Sequence, residues 1–442
     1  MSAALSRDEV PVYDIVGVGF GPSNLALAVA IAERNERAAD PAGATTAVFL
    51  EQQPGFGWHR GMLLDDATMQ VSFLKDLVTL RDPSSEFSFL CYLHDKGRLI
   101  DFINHKSLFP LRVEFHDYLE WAAARVDDLV CYGHEVVSVA PAPDAGCLDV
   151  TARTRHGSTV YRARNLVFGT GLRPGLPTGL STSDRIWHNS ELLHRVDALP
   201  AQPRRFVVLG AGQSGAEVAA FLHQRFTGAE VCAVFSRYGY SPADDSPFAN
   251  RIFDPDAVTE FFGAPGEVKD MLADYHSNTN YSVVDAELID ELYRRAYQEK
   301  VLGAERLRLF NACRLAGVRE TGDGVRLTIE SLTTGAQTTV DADALVCATG
   351  YRPADPFPLL GPIARQCQRD AEGRPVVDRD YRLRTDPGLD SGLYLQGGTE
   401  HSHGITSSLL SNVAIRAGEI LRSVAVRRPA PDRQQLPSGV PA

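Results

Sequence analysis

The apolar positions of this chain fall in short, dense runs whose spacing predicts strands alternating with helices. Residues 12–16 form a β-branched run, and residues 25–32 continue as a helix. After the polar stretch 34–46 (RNERAADPAGATT), residues 47–50 form a second short strand. The same order returns far downstream, with a strand at 206–209, a helix at 216–222 and a strand at 230–235. Strands alternating with helices imply a parallel α/β sheet, and a βαβ unit occurring twice implies two of them. Segments 164–171 (RNLVFGTG) and 343–350 (DALVCATG) also resemble each other, each reading as an apolar strand that ends in a Thr-Gly turn. Residues 15–32 are nearly all apolar, but they hold three glycines, Pro22, Ser23 and Asn24. A buried strand–turn–helix accounts for them better than a membrane span.

The predicted layout nests one unit inside the other. Residues 1–200 start a first dinucleotide-binding domain, 201–340 form a second, and 341–425 return to complete the first. A Pro-rich polar tail, 426–442, is predicted to be disordered. With 442 residues, two or three domains is the natural expectation.

Each βαβ unit carries a glycine motif. The first is Gly17-Val18-Gly19-Phe20-Gly21-Pro22, after a strand and at the start of a helix. Read as a dinucleotide fingerprint, Gly17 allows the tight turn and Gly19 lets the backbone approach a pyrophosphate. Pro22 replaces the usual third glycine and suits the first helical turn. The helix N-terminus offers free N–H groups and a positive dipole end. Glu51, directly after the second strand, is placed to accept bonds from ribose hydroxyls, the polar insertion explaining its long spacing. The second motif is Gly210-Ala211-Gly212-Gln213-Ser214-Gly215. No acid ends its second strand; Ser236 and Arg237 stand there instead. A hydroxyl and a guanidinium suit a 2′-phosphate, which points to NADPH rather than NADH. The alternative is a solvated arginine at a strand end.

Charge and cysteines narrow the chemistry. A net charge of −12 argues against nucleic acid and anionic lipid as partners. The seven cysteines are scattered with no CxxC pair, which speaks against a disulfide framework, a metal site and a disulfide reductase. The start, MSAALSRDEVPVYD, does not read as a signal peptide, so a cytoplasmic setting is expected. Two dinucleotide units in such a chain imply hydride transfer from NADPH to a flavin, and without a cysteine pair oxygen chemistry is the favoured next step.

Several stretches, in order, carry a further resemblance: YDIVGVGFGPSNLALA, MQVSFLKDLVTLRDPSSEFSFLCYL, VVLGAGQSGAEVA, DDSPFAN, NTNYSVVD, ALVCATGYRP and HGITSSLLS. Together they resemble the class B flavin-dependent N-hydroxylating monooxygenases, and within them the microbial L-ornithine N5-monooxygenases of hydroxamate siderophore pathways. The resemblance implies an α/β fold of two Rossmann-like domains, for FAD and NADPH, with a small helical substrate-binding region near 245–300. It implies a cycle in which NADPH reduces FAD and oxygen then forms a flavin hydroperoxide. Bound NADP⁺ protects that species until its terminal oxygen passes to the side-chain amine. It also implies a homo-oligomer, a dimer or tetramer.

The same resemblance assigns residues. Trp58, His59 and Gln70 join Gly17, Gly19, Pro22 and Glu51 around FAD. Gly210, Gly212, Gln213, Ser214, Arg112 and Tyr281 serve NADP, with Arg237 one position from where the phosphate-clamping arginine aligns. Lys75, ringed by apolar residues in QVSFLKDLV, pairs with the substrate carboxylate; otherwise it is a surface lysine beside Asp76. Asn250 and Asn280 hold the α-amino acid group, although alone each reads as a turn residue. Ser408 lies near the distal amine, with Ser407 in an adjacent register. The stretch 343–351 is implied to be structural for the flavin domain. No general acid or base stands out; the amine must be neutral to attack, and water, NADP⁺ or burial would help it lose its proton. L-Lysine or a diamine is the alternative substrate. Lys75 favours an amino acid, because a diamine has no carboxylate for a buried lysine. A flavin NADPH oxidase or reductase and a non-catalytic redox sensor are the other readings.

Overall fold

The computed structural model describes residues 10–39, 43–143, 146–199 and 202–427. The first sheet contains β1 (Val12–Val18), β2 (Ala47–Glu51), β3 (Val130–Tyr132), β4 (Glu135–Pro141), β5 (Leu148–Thr154) and β6 (Gly157–Phe168). They run in the order β3-β2-β1-β6-β5-β4, parallel from β3 to β6, and then as an antiparallel meander. The second sheet is wholly parallel. It contains β7 (Ile186–His188), β8 (Arg205–Leu209), β9 (Glu230–Val234), β10 (Leu307–Phe310) and β11 (Ala344–Cys347), in the order β10-β9-β8-β11-β7. The last strand, β12 (Gly392–Leu395), returns to the first sheet beside β6.

Continuous burial along these strands follows from cover on both faces. One face of the first sheet carries α1 (Pro22–Glu36), α2 (Arg112–Ala124) and α5 (Val413–Arg427) in one core with Ile15, Phe49 and Tyr394. Its other face packs Val16 and Leu166 against Val150 and Leu360. The second sheet is covered on one face by α3 (Gln213–Arg225) and α4 (Ala286–Leu302). On the other lies a three-stranded antiparallel sheet, Cys313–Glu320, Val325–Ser331 and Gln337–Ala342. Between β9 and α4 stand Ala249–Phe253, Pro255–Gly263 and Gly266–Tyr275, all helical.

Strand pairing moves the expected boundaries at 200 and 340. β7 and β11 both belong to the second sheet, so that sheet is entered before residue 200 and left after 340. The stretch 343–351 therefore supports the second glycine loop, not the first. Its likeness to 164–171 is real, but each Thr-Gly turn serves its own sheet. At the C-terminus Val426 and Arg427 are the last residues of α5, and the rest of the predicted tail lies outside the described residues.

Candidate active site

The two glycine loops superpose in kind, and their register differs from the one read in the sequence. α1 starts at Pro22 with Gly21 as its N-cap, and α3 starts at Gln213 with Gly212 as its N-cap. Gly19 and Gly210 are the positive-φ residues, at +82° and +137°. A Cβ on Gly19 would lie 2.6 Å from the Gly169 carbonyl, and one on Gly210 would overlap the Ala348 carbonyl. So Gly19 matches Gly210, Gly21 matches Gly212, and Asn24 matches Gly215. Gly17 lies inside β1, two residues before the turn, where its missing side chain leaves room for the Phe49 ring. Gly215 lets helix approach strand, since a Cβ there would lie 2.5 Å from the Gly210 carbonyl. Asn24 achieves the equivalent contact by a bond, its Nδ2 donating to the Gly19 carbonyl at 2.7 Å. Proline at the first helical position was the available signal, because it makes the preceding Gly21 the N-cap.

Neither helix has a side-chain cap, and neither has an acid in its first turn. The first N–H groups are therefore available to an anion. A Cβ on Gly21 would meet nothing within 4 Å, so the space before α1 is open for a phosphate. Glu51, at the end of β2, accepts from the Phe20 N–H at 2.7 Å and the Gln53 N–H at 2.8 Å. Its carboxylate thus sits against the loop with lone pairs to spare for hydroxyls. A cavity of about 270 Å³ opens at the C-terminal ends of β6 and β12, between Thr170, Pro353 and Gln396, where open α/β sheets bind ligands.

Aromatic residues line the ground between the sheets. Trp58 meets His59 edge-on at 4.6 Å between ring centroids, and His59 meets Tyr351 at 6.0 Å. His59 holds a left-handed φ of 51°. Its ring reaches solvent, yet enough protein surrounds it that lost hydration, with Arg112 and His116 nearby, lowers its pKa to about 4. At neutral pH it is uncharged. Gln70 is exposed, and its amide is 3.5 Å from the Thr68 hydroxyl.

On the second loop the structure redraws several contacts. Arg112, the expected nucleotide ligand, forms a two-pronged ion pair with Glu217 of α3 at 2.7 and 2.9 Å. It also donates to the Met62 and Thr68 carbonyls at 3.2 and 3.4 Å. Both partners are largely buried, so this pair fastens α2 of the first sheet to α3 of the second. Gln213 spans Glu217 and the Asp285 N–H at the start of α4. Ser214 is at the second position of α3. Arg237 is exposed and donates to the Ser282 carbonyl at 2.9 Å, and Ser282 lies 3.4 Å from where a Gly212 Cβ would stand. It flanks the loop, as a phosphate ligand must. Tyr281 donates to Glu400 at 2.8 Å.

Lys75 is half-buried, forms no ion pair among the described residues, and lies 5.6 Å from the centre of the Phe253 ring. Burial lowers its pKa, opposed by Asp254. Asn250 is in the same short helix as Phe253, its Nδ2 donating to the Asp245 carbonyl at 2.8 Å. Asn280 is exposed, one residue before Tyr281. Ser408 accepts from the Gly398 N–H at 3.4 Å, while the Ser407 hydroxyl is buried and has no partner among the described residues. Among the described residues no hydrogen bond joins these four residues to one another. Asn412, which the sequence did not single out, ties the two sides by donating to the Phe253 carbonyl at 3.1 Å. Lone asparagines carry no periodic signal, so only the fold reveals it.

Residues 11–353 match the family model described as L-lysine 6-monooxygenase/L-ornithine 5-monooxygenase. An L-ornithine N(5)-monooxygenase of Burkholderia cepacia is 42% identical over 433 residues, covering 95% of this chain and 96% of the relative. The structure of a Kutzneria sp. 744 ornithine N-hydroxylase with reduced FAD, NADP⁺ and L-ornithine is similar at a TM-score of 0.91 and 47% identity, over 94% of this chain and all of that one. The ornithine hydroxylase of Pseudomonas aeruginosa is similar at 0.88 and 35%, with the same coverage.

Proposed function

Since the chain belongs to the L-lysine 6-monooxygenase/L-ornithine 5-monooxygenase family, we propose that it hydroxylates the side-chain amine of L-ornithine, using FAD, NADPH and O₂. The observation that carries the reading is a half-buried lysine that forms no ion pair among the described residues and faces the Phe253 ring, whose backbone carbonyl Asn412 holds. FAD, when bound, supplies the redox and oxygen-activating chemistry. Gly19, Gly21 and the open N-terminus of α1 hold its diphosphate, and Glu51 takes the ribose. Trp58, His59 and Gln70 wall the ring. The second loop, with Gly212, Gln213 and Ser214, presents NADPH, and Arg237 with Ser236 holds its 2′-phosphate. Tyr281 closes on the nucleotide from the helical region 245–300.

Lys75 neutralises the substrate carboxylate, and Asn250 and Asn280 satisfy both ends of the α-amino acid group. Ser408 lies at the amine end. With the ammonium so anchored at one end, the free amine reacts from its neutral form, which a poorly hydrated site favours. His59 stays neutral above pH 5 or so and adds no positive charge to oppose it. Domain roles follow the sheets: the first sheet for FAD, the second for NADPH, and residues 245–300 for substrate. Among the described residues no helix is long and apolar enough to cross a membrane. A cytoplasmic homo-oligomer, supplying N5-hydroxyornithine for a siderophore or related product, completes the reading.

The test is purified protein with FAD, NADPH and a panel of ornithine, lysine, putrescine and cadaverine. Hydroxylated product should form with ornithine first and in proportion to NADPH used. NADPH oxidation that yields only peroxide with every amine would refute it, and product from lysine first would move the assignment within the family.

A further inference from the structure

Arg416 of α5 is 1% exposed, the most deeply enclosed cation among the core side chains. Its three hydrogen bonds all go to neutral acceptors. Nη1 donates to the Ser407 carbonyl at 2.6 Å, Nη2 to the Ser23 hydroxyl at 3.0 Å and Nε to the Gln396 Oε1 at 3.4 Å. Among the described residues it forms no ion pair. Glu419, one turn along the helix, is already held two-pronged by Arg379 at 2.9 and 3.1 Å. A guanidinium does not escape by deprotonating, so a full positive charge is buried with only the Tyr381 ring at 6.0 Å and the Arg379-bound Glu419 nearby to offset it. That arrangement is costly unless something else supplies the negative charge.

The place where it lies says what that is. Ser23 is in the first turn of α1, two residues after the N-cap Gly21. Gln396 donates to the Ser23 carbonyl and to Asn24 Oδ1, both at 3.0 Å. Asn24 in turn donates to the Gly19 carbonyl. The guanidinium therefore stands behind the first glycine loop, bonded to Ser23 directly and linked to Asn24 and the Gly19 carbonyl through Gln396. In front of the same loop Gly21 faces open space. Two hydroxyls of this wall, on Thr399 and Ser407, are buried without hydrogen-bond partners among the described residues.

We propose that Arg416 is a positioning residue for the FAD diphosphate: it holds the loop from behind through Ser23 and Gln396, and its uncompensated charge is balanced by the diphosphate on the far side. This rests on the reading of the first loop as the FAD site. The charge adds to the positive end of α1, and both act on the same anion.

Apoprotein of wild type, Arg416→Met and Arg416→Lys should be titrated with FAD and with ADP by calorimetry, and melted with and without FAD. Removing an uncompensated charge should leave the melting temperature of apo Arg416→Met near or above wild type. FAD and ADP should nonetheless bind about tenfold or more weaker, and the FAD-induced rise in melting temperature should shrink. Arg416→Lys should retain more affinity than Arg416→Met. Equal FAD affinity in wild type and Arg416→Met overturns the proposal. So does an Arg416→Met apoprotein that melts far lower or does not fold, because the arginine would then serve the fold alone. Weakened FAD with unchanged ADP overturns the diphosphate assignment. Wild type that binds no FAD refutes the underlying reading instead.

Discussion

The two glycine loops share a backbone and differ in what stands behind and in front of them. Behind the first lies a buried polar chain, from Arg416 through Gln396 and Asn24 to the Gly19 carbonyl, with Glu51 accepting from the Phe20 N–H of the same loop. Behind the second, Gly215 replaces that chain with bare contact between helix and strand. In front, the second loop is flanked by exposed Arg237 and Tyr281. One loop is built from inside the protein, and the other completes its contacts with surface side chains. A cofactor seated on the first should depend on residues far from it in sequence. One on the second should depend on a few that are individually weak. The order suits a flavin that stays while a nucleotide arrives.

The comparison breaks most sharply at the turn glycines. Gly19→Ala puts a side chain at φ +82° and 2.6 Å from the Gly169 carbonyl, and Gly210→Ala overlaps the Ala348 carbonyl at φ +137°. Each left-handed conformation costs about 1–2 kcal/mol before any overlap. Gly19→Ala should lose FAD binding altogether, seen as colourless protein. Gly210→Ala should keep FAD and lose flavin reduction by NADPH in stopped-flow. Loss of both cofactors from either change would mean that the loops are not separate sites.

The next test concerns the bond between the two regions. Arg112→Ala leaves Glu217 buried and unpaired, a loss of about 3–5 kcal/mol of stability by the usual cost of breaking such a pair. Chemical denaturation should show it, and Arg112→Met with Glu217→Met should recover most of it. If Arg112 is instead a nucleotide ligand, the double variant should be stable yet remain deficient in NADPH binding. NADPH titration of that variant separates the two roles.

How much of this was legible follows the same division. Both βαβ units could be read from apolar spacing, since parallel strands are buried on both faces and leave continuous runs. The loop register was not, because Gly17 mimics a fingerprint glycine while its actual task is to make room for Phe49 across the sheet. Strand β11 was assigned to the wrong sheet, because two Thr-Gly turns with the same local chemistry differ only in their distant partners. Arg112 was assigned to the nucleotide by resemblance alone, and its pairing with the buried Glu217 had no signal in the sequence. Lys75 stood out as a charge within an apolar stretch, which the fold keeps half-buried. Arg416, Gln396 and Asn412 gave no such signal. Their partners come from segments hundreds of positions apart or from an unpatterned loop.

Lys75 sharpens the contrast from the substrate side. Lys75→Ala should raise the ornithine KM strongly, since leaving a carboxylate without its partner costs about 2–5 kcal/mol. Flavin reduction by NADPH should stay near wild type. The pH dependence has a definite sign. Burial lowers the Lys75 pKa from its ordinary value, so its charge is lost as pH rises through that lowered value. The ornithine KM should therefore rise on the alkaline side sooner than an exposed lysine would allow. Over the same range kcat should rise as the substrate amine loses its proton. Lys75→Arg keeps its charge throughout and should flatten the KM profile, even if KM is higher overall. A KM that does not respond to pH in wild type places Lys75 away from the carboxylate.

The smallest expected effect is at Arg237, and it tests the exposed side of the second loop. Among the described residues its guanidinium is held only by the Ser282 carbonyl, at the solvent surface. Exposed ion pairs are worth about 0–1 kcal/mol, and contact with a doubly charged phosphate raises this modestly. Arg237→Ala should therefore raise the NADPH KM by several-fold to about tenfold, not abolish use of the cofactor. Because the contact is screened, the difference between wild type and variant should shrink in high salt. NADH has no 2′-phosphate, so its KM should be unchanged, and the preference for NADPH should fall by the same factor. That equality is the discriminating quantity. If the variant loses NADH and NADPH alike, Arg237 supports the loop through Ser282 and does not read the phosphate. If neither changes, Ser236 and the backbone around it carry the recognition, and the arginine is a solvated strand end.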